Sequence, residues 1–520
     1  MLQNNRRAFI TKAAIGLAGA SVASTAVASS ITSSTSGFVF ASDYGAIGDG
    51  IADDTQSLQA AIDSAGMQNK TLLLGSNHRV TESLLINNSI AISSQGSSST
   101  FSTQGLDTLF VSHANDLQIT NIVTTGVTLV EAKSDFNQML ISHCQLTGLP
   151  DSLNQYVVTT KDVPLQFSKL VVENNTTLYM SGIYGNGLNG GEIFFQNNTM
   201  NDAVRFIVRA LASGTLAPKQ VTVLNNRIIG MNRTLSDTSV AARVVQVDAM
   251  DTVIVLNNEV RDLYTSTAAN LVYLRSGDLM CTGNLCYNAH GTEAWIHDKG
   301  VSKGNHMIKG NLFDQSGVTS YDLDSVIKIY TGHNFTVTDN DFIGLRSPAC
   351  WVYESYDLQD KIPMNNVIMN NTVRDIQYPF AFKLVQPSSQ TRISSNTVIN
   401  LSNPDNQVSH GETNPKFVFI YVSFSNGKDI ENVSIDNNVL MGATPSAEFA
   451  EIYRHNIAAT SDIKQISLIG NVALDVATLC RFTGRSIDSC NLANNTLKPG
   501  CNEYVGSQLP QTLRTQNNLN

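Results

Sequence analysis

Charge is scarce in this chain: of 520 residues only 15% are Asp, Glu, Lys or Arg, and bases are outnumbered 33 to 43. So few charges do not suit a protein coated with solvated helices, and the acidic excess argues against partnership with nucleic acid or an anionic membrane. No stretch beyond the N-terminus reaches the apolar length needed to span a bilayer, so no membrane insertion is expected of the mature chain. Cysteine is sparse too. The seven thiols, Cys144, Cys281, Cys286, Cys350, Cys480, Cys490 and Cys501, are odd in number and irregularly spaced, which describes neither a disulfide framework nor a zinc site. Most are expected to serve as small apolar residues in a core, with Cys281–Cys286 and Cys490–Cys501 the pairs placed to oxidise. No calcium-ligand cluster is readable, and neither a metal nor a cofactor is expected.

What is abundant is asparagine, and it recurs in a phrase: alternating apolar residues, then Asn, then another apolar residue two positions on. Examples are Val171-Val172-Glu173-Asn174-Asn175, Ile193-Phe194-Phe195-Gln196-Asn197-Asn198, Val221-Thr222-Val223-Leu224-Asn225-Asn226 and Val253-Ile254-Val255-Leu256-Asn257-Asn258. The phrase continues through Asn284, Asn311, Asn340, Asn371, Asn396, Asn438, Asn471 and Asn495, at intervals of 23 to 42 residues. Such spacing means one supersecondary unit per repeat with loops of variable length, so chain length does not count domains. Each unit holds a second strand-like run, as in Val244-Val245-Gln246-Val247-Asp248, Leu271-Val272-Tyr273-Leu274-Arg275, Ser325-Val326-Ile327-Lys328-Ile329-Tyr330 and Phe380-Ala381-Phe382-Lys383-Leu384. Two or three short period-2 strands per repeat predict an all-β, right-handed parallel β-helix. The Asn belongs at the bend, where it tolerates left-handed backbone and where its amide can bond the same residue one turn away.

Two segments lie outside the repeat. Residues Asn5-Arg6-Arg7-Ala8-Phe9-Ile10-Thr11-Lys12 precede an Ala/Gly-rich apolar run ending at Ala26-Val27-Ala28. A basic region, a short apolar region and a small-residue cleavage site in that order predict a signal peptide over 1–28, followed by a linker over 29–37. Its two arginines resemble those of twin-arginine export signals, which implies a folded protein delivered to the periplasm or beyond. Its loss would take the net charge from −10 to −13, since Arg6, Arg7 and Lys12 are its only charged residues. Farther on, Asp43-Tyr44-Gly45-Ala46-Ile47-Gly48-Asp49-Gly50-Ile51-Ala52-Asp53-Asp54-Thr55 leads into Leu58, Ala61, Ile62 and Ala65, one face of a short helix. Asp54 or Thr55 is placed to cap its start and Gly66 its end. The helix can lid the apolar end of the solenoid, giving a cap and first turns over 38–110, a β-helix over 111–500 and a tail over 501–520.

The segment from Tyr44 to Asp63, with the repeats behind it, resembles the pectate-lyase-like β-helix superfamily, which includes polygalacturonase-type hydrolases, polysaccharide lyases and phage tailspike glycanases. The resemblance covers residues 38–500 and implies an extracellular, acidic polysaccharide as substrate. The exported proteins of exopolysaccharide clusters are similar in pairing such a helix with a twin-arginine signal. A homotrimer is what the tailspike resemblance implies; no residue specifies a threefold contact.

Side chains of a β-helix alternate between core and surface, so the second strands define a column of outward residues across successive turns. That column is expected to contain Arg205, Arg209, Gln246, Asp248, Tyr273, Arg275, Trp295, His297, Lys328, Tyr330, Trp351, Tyr353, Lys383, Tyr421, Glu451 and Tyr453. Aromatic faces suit the C–H faces of sugars, and Arg and Lys suit carboxylates. Asp248, Arg275, Trp295, Tyr330, Trp351, Tyr353 and Lys383 are therefore the expected substrate-binding residues. By place, Glu293 and Asp324 match the acids of polygalacturonase-like hydrolases on adjacent turns. Repulsion between such neighbours would divide them into a proton donor and an ionised partner. The signature phrases of those hydrolases, Asn-Thr-Asp, Gly-Asp-Asp, Gly-His-Gly and Arg-Ile-Lys, are absent, which leaves the two acids resting on position alone. A β-eliminating lyase is the alternative, with Arg275, Lys328, His297 and Tyr330 supplying the cation and base. A non-catalytic glycan-binding protein would use the same column without acid catalysis. The long interval from Asn396 to Asn438 contains Asn403-Pro404 and Asn414-Pro415, an insertion placed to wall a groove.

Overall fold

A computed structural model describes residues 37–519 except 162, 214–216, 292–294, 299–304, 319–324, 330–333, 354–365, 386–389, 403–417, 425–429, 444–445, 455–462, 485–486 and 507–508. The expected signal segment and the Asn403–Pro415 insertion lie outside the described residues. The chain divides into two compact units, 1–260 and 261–520. Each is a parallel β-solenoid, and together they hold about fourteen turns with almost no helix.

Three short strands make a turn, and each pairs in parallel with its counterparts one turn away. In the first unit Glu192–Gln196 lies between Leu165–Glu173 and Gln220–Leu224. Thr199–Asn201 lies between Thr176–Leu178 and Arg227–Ile229. Phe206–Leu211 lies between Ser181–Asn186 and Ala242–Leu256. The second unit repeats the plan, with Ile327–Ile329 between Ile296–Asp298 and Cys350–Tyr353. Alternation puts like residues over like in the core: Leu170, Ile193, Val221 and Val253 stand in register and are fully buried. Each such aliphatic stabilises the stack by roughly 1.5–3 kcal/mol, and none can be moved one position without turning its strand inside out.

The bend after the first strand divides its work between two successive residues. The first takes the left-handed conformation: Asn174, Asn197, Asn225 and Asn257 in one unit, Gly283, Gly310, Asp339, Asn370, Ser395, Asn437, Gly470 and Asn494 in the other. The second is the buried ladder asparagine. Asn198 shows the pattern: its Oδ1 accepts from both N and Nδ2 of Asn175, while its Nδ2 donates to Val172 O and to Asn226 Oδ1 at 2.9 and 3.1 Å. The same bonds link Asn284, Asn311, Asn340, Asn371, Asn396, Asn438, Asn471 and Asn495 in the second unit. Stacked amides thus satisfy one another where water cannot reach.

At the N-terminal side, helix α1 (Thr55–Met67) buries Leu58, Ala61, Ile62 and Ala65 against the strands Phe38–Phe40, Thr71–Leu74 and Leu84–Ile86. Its ends differ from expectation. Asp54 makes no helix-capping bond; its carboxylate accepts from the N–H groups of Ile47 and Gly48 and meets His78 Nδ1 at 2.7 Å, pinning the preceding loop. Asp53 instead accepts from Thr55 N and from the Thr55 and Thr81 hydroxyls. Those hydroxyls hold its carboxyl below the usual range. Gly66 lies inside the helix, and the left-handed residue that ends it is Asn69, φ 51°.

Six cysteines are buried and Cys501 is half-buried. All seven are free thiols, so neither Cys281–Cys286 nor Cys490–Cys501 is bridged. Burial pushes the thiols of Cys144, Cys350 and Cys490 up to about 12. A disulfide reagent at neutral pH is therefore expected to titrate no more than the Cys501 thiol quickly in the native protein, and all seven once it is denatured. Fast native labelling of two or more thiols would show that this core is open.

Candidate functional site

The third strand of each turn carries the outward column, and strand register fixes its members. In the second unit Tyr273 pairs with His297, His297 with Lys328, Lys328 with Trp351, and Trp351 with Lys383. The series continues through Tyr421, Glu451 and Arg481. These eight residues stand one per turn, about 4.8 Å apart, on the face opposite the core residues Ile296, Ile327 and Val352.

Outward is not the same as exposed. Tyr273, His297, Lys328, Lys383 and Tyr421 are each 4–7% exposed, and Trp351 is more open. Lys328 Nζ lies 4.8 Å from the centre of the Trp351 ring and Lys383 Nζ 4.4 Å, so the indole is flanked by two ammonium groups. Burying an ammonium is costly, and the electron-rich ring offsets part of that cost. Lys383 also approaches Phe380 and Tyr421, at 5.7 and 6.0 Å, whose rings lie 4.6 Å apart. His297 meets Tyr273 edge-on at 5.2 Å. At the far end Glu451 accepts from the Thr483 hydroxyl at 2.9 Å. Arg481 grips the Glu448 carboxylate, and that hydrogen bond raises the guanidinium above its ordinary pKa.

Several expected site residues are placed differently. Trp295 is fully buried and packs against Phe313 with centroids 6.4 Å apart, so it does not belong to the outward column. The reason is a kink: both Leu271 N and Val272 N donate to Trp295 O, so the alternation of Ile296–Asp298 does not extend back to residue 295. Asp298 is inward as well, its carboxylate 3.4 Å from His306 Nε2 while Leu279 N donates to His306 Nδ1. Arg275 is exposed midway along the strand Ala269–Thr282. Asp248, in the first unit, is buried and accepts the Ala212 N–H at 2.9 Å. The backbone of Tyr353 pairs with Val385. Glu293, Asp324 and Tyr330 lie outside the described residues, as does the side chain of Tyr353.

The first unit has an outward column of its own, Glu131, Thr159, Tyr184, Arg209 and Gln246. Burial pushes the Glu131 carboxyl up, but the ammonium groups of Lys133 and Lys161 outweigh it and hold the pKa below the usual value. Sequence reasoning missed Tyr184, which sits in the glycine-bearing strand Ser181-Gly182-Ile183-Tyr184-Gly185-Asn186, and Arg481, which one more aligned strand would have added. Among the described residues no group of three or more His, Cys, Asp or Glu gathers as metal ligands.

No protein-family model and no curated protein matches this chain. Solved structures do. The catalytic unit of a thermostable GH87 α-1,3-glucanase from Streptomyces thermodiastaticus aligns at 12% identity over 94% of this chain and 69% of its own, TM-score 0.29. The A-module of the Azotobacter vinelandii mannuronan C-5 epimerase AlgE6 aligns at 15% identity over 83% of this chain and 98% of its own, TM-score 0.28. The Dettilon tailspike protein aligns at 11% identity over 80% and 68%, TM-score 0.30. These similarities are too low to transfer a reaction, and function must be argued from the chain's own residues.

Proposed function

We propose that this chain is an exported carbohydrate-active enzyme that cleaves an acidic extracellular polysaccharide laid along the outward column of its second unit. The observation that carries the reading is Trp351 held between Lys328 and Lys383. A flat aromatic face suits the C–H face of a sugar ring, and an ammonium on either side suits a polymer with regularly placed carboxylates. For the chemistry, Glu293 and Asp324 each precede by three residues the isoleucines Ile296 and Ile327, which pair in register on adjacent turns. Two carboxyls at the same sequence offset from residues paired on adjacent turns would suit hydrolysis, one protonating the leaving oxygen and the other acting as nucleophile or base. Arg6-Arg7 and the apolar run behind them support export by the twin-arginine route.

A second reading is elimination, favoured by the register of His297 beside Lys328. There the lysine would neutralise a uronate carboxylate while the imidazole takes the adjacent proton.

Incubating the mature protein with an acidic bacterial exopolysaccharide separates the readings. Hydrolysis is expected to release new reducing ends without ultraviolet absorbance from unsaturated uronides. Reducing ends with that absorbance would establish elimination instead. Binding without new ends would make the protein a glycan-binding module, and neither binding nor cleavage across acidic polysaccharides would overturn the proposal.

A further inference from the structure

The first unit carries a cluster that the cleavage reading does not use. Tyr156, Tyr184 and Phe206, from three successive turns, cluster with their rings nearly parallel: centroids are 5.1 Å apart for Tyr156–Tyr184, 5.5 Å for Tyr184–Phe206 and 6.2 Å for Tyr156–Phe206, with planes within 23°. The Arg209 guanidinium lies over this cluster, 5.1 Å from the Tyr184 centroid and 5.4 Å from that of Phe206. The Arg205 guanidinium lies 5.2 Å from the Phe206 centroid. Arg243 stands in register with Phe206 on the next turn.

Two guanidinium groups, of Arg205 and Arg209, therefore lie on one aromatic cluster. Among the described residues no carboxylate pairs with Arg205 or Arg209, and the buried Nε of Arg209 has no hydrogen-bond partner. Asp248, two positions beyond Gln246 on the adjoining strand, already accepts the Ala212 N–H. Burial depresses the Arg209 pKa, and the charges of Arg205 and Arg243 depress it further. A half-buried guanidinium with like-charged neighbours and an idle donor is a costly arrangement for the free protein. An anion that accepted from Nε and neutralised the cluster would remove that cost, and planar, bidentate acceptors such as carboxylates fit a guanidinium best. Tyr184, the partly exposed ring of the cluster, offers the apolar face that a pyranose requires.

We propose that Arg205 and Arg209, with the Tyr156–Tyr184–Phe206 cluster, form a subsite for a carboxylate-bearing sugar residue, separate from the cleavage site. The proposal rests on the reading of an acidic polysaccharide as ligand, but on none of the residues assigned to cleavage. It is tested by calorimetric titration of the mature protein with a uronic-acid oligosaccharide, a neutral oligosaccharide of the same length, and inorganic phosphate. Wild type and the variants Trp351→Ala, Arg209→Gln and Arg209→Lys would be compared, each first shown by circular dichroism to be folded.

Trp351→Ala is expected to retain a binding event for the oligouronate. Adding Arg209→Gln to it should weaken that event at least tenfold, and Arg209→Lys should restore part of it. The wild-type affinity should fall with salt, and the neutral sugar should not compete. Unchanged oligouronate binding in Arg209→Gln, with binding lost in Trp351→Ala, would overturn the subsite while leaving the polysaccharide reading intact. Absence of oligouronate binding in every form would overturn both. Phosphate binding as tightly as the oligouronate would reduce the cluster to a general anion site and overturn the sugar assignment.

Discussion

Asn371→Ala is expected to lower the urea midpoint of unfolding by an amount equivalent to roughly 3–5 kcal/mol, the sum of several buried groups each losing a partner. The Asn371 amide donates to Val337 O and to Asn396 Oδ1, both at 2.9 Å, and accepts from Asn340 N and Nδ2 at 3.0 and 2.9 Å. Truncation takes that partner from Val337 O and Asn340 N and leaves Asn396 Oδ1 and Asn340 Nδ2 one bond short, around a gap that the paired strands on either side keep open. Its neighbour provides the control. Asn370 is exposed at φ 55°, so Asn370→Gly should be neutral within about 0.5 kcal/mol, whereas Asn370→Val should cost roughly 1–2 kcal/mol in backbone strain. Equal midpoints for Asn371→Ala and Asn370→Gly would show that the ladder does not hold the turns together.

The largest functional effects are expected at Glu293 and Asp324. Glu293→Gln and Asp324→Asn should each lower kcat on an acidic polysaccharide about 10²–10⁴-fold with little change in KM, since each removes a proton transfer or a nucleophile and not a binding contact. Trp351→Ala should do the reverse, raising KM about tenfold to a hundredfold through loss of the ring that stacks the sugar and steadies Lys328 and Lys383. Steady-state kinetics from reducing-end release measures both. Full activity in both carboxylate variants would remove them from the reaction, and His297→Gln and Lys328→Met would become the decisive pair for elimination.

The solenoid was legible because its specification is local and repeated. An asparagine after alternating apolar residues says both where the strand ends and what its neighbour does one turn away. The outward column was legible for the same reason: once the second strands are aligned, period 2 places Tyr273, His297, Lys328, Trp351 and Lys383 together, and the register agrees. Alternation fails where the backbone leaves the strand. Trp295 reads as one step before His297, but a kink ends the strand between them and turns the indole into the core. The helix ends failed for a different reason. Asp54 has the chemistry of a cap, yet His78 and the 47–48 loop compete for its oxygens and win, a contest between segments that no local pattern records. Glycine hid Tyr184, because Gly182 and Gly185 interrupt the apolar signal by which its strand would be aligned.

The asparagine column also has a polarity. In each unit every side-chain carbonyl faces the preceding turn and one amide N–H faces the following turn, as in Asn340 to Asn371 to Asn396. The dipoles therefore add head to tail and polarise one another, as peptide groups do along a helix. Such a column has an acceptor to be met at one end and a donor at the other. The first unit meets the acceptor of Asn175 with the backbone N–H of Cys144, whereas in the second Asn517 accepts from Asn495 N and Nδ2 as a further rung, its own buried Nδ2 finding no partner among the described residues. Cys144 thus closes the acceptor end of the first unit's column, while the donor end of the second is left uncompensated at Asn517.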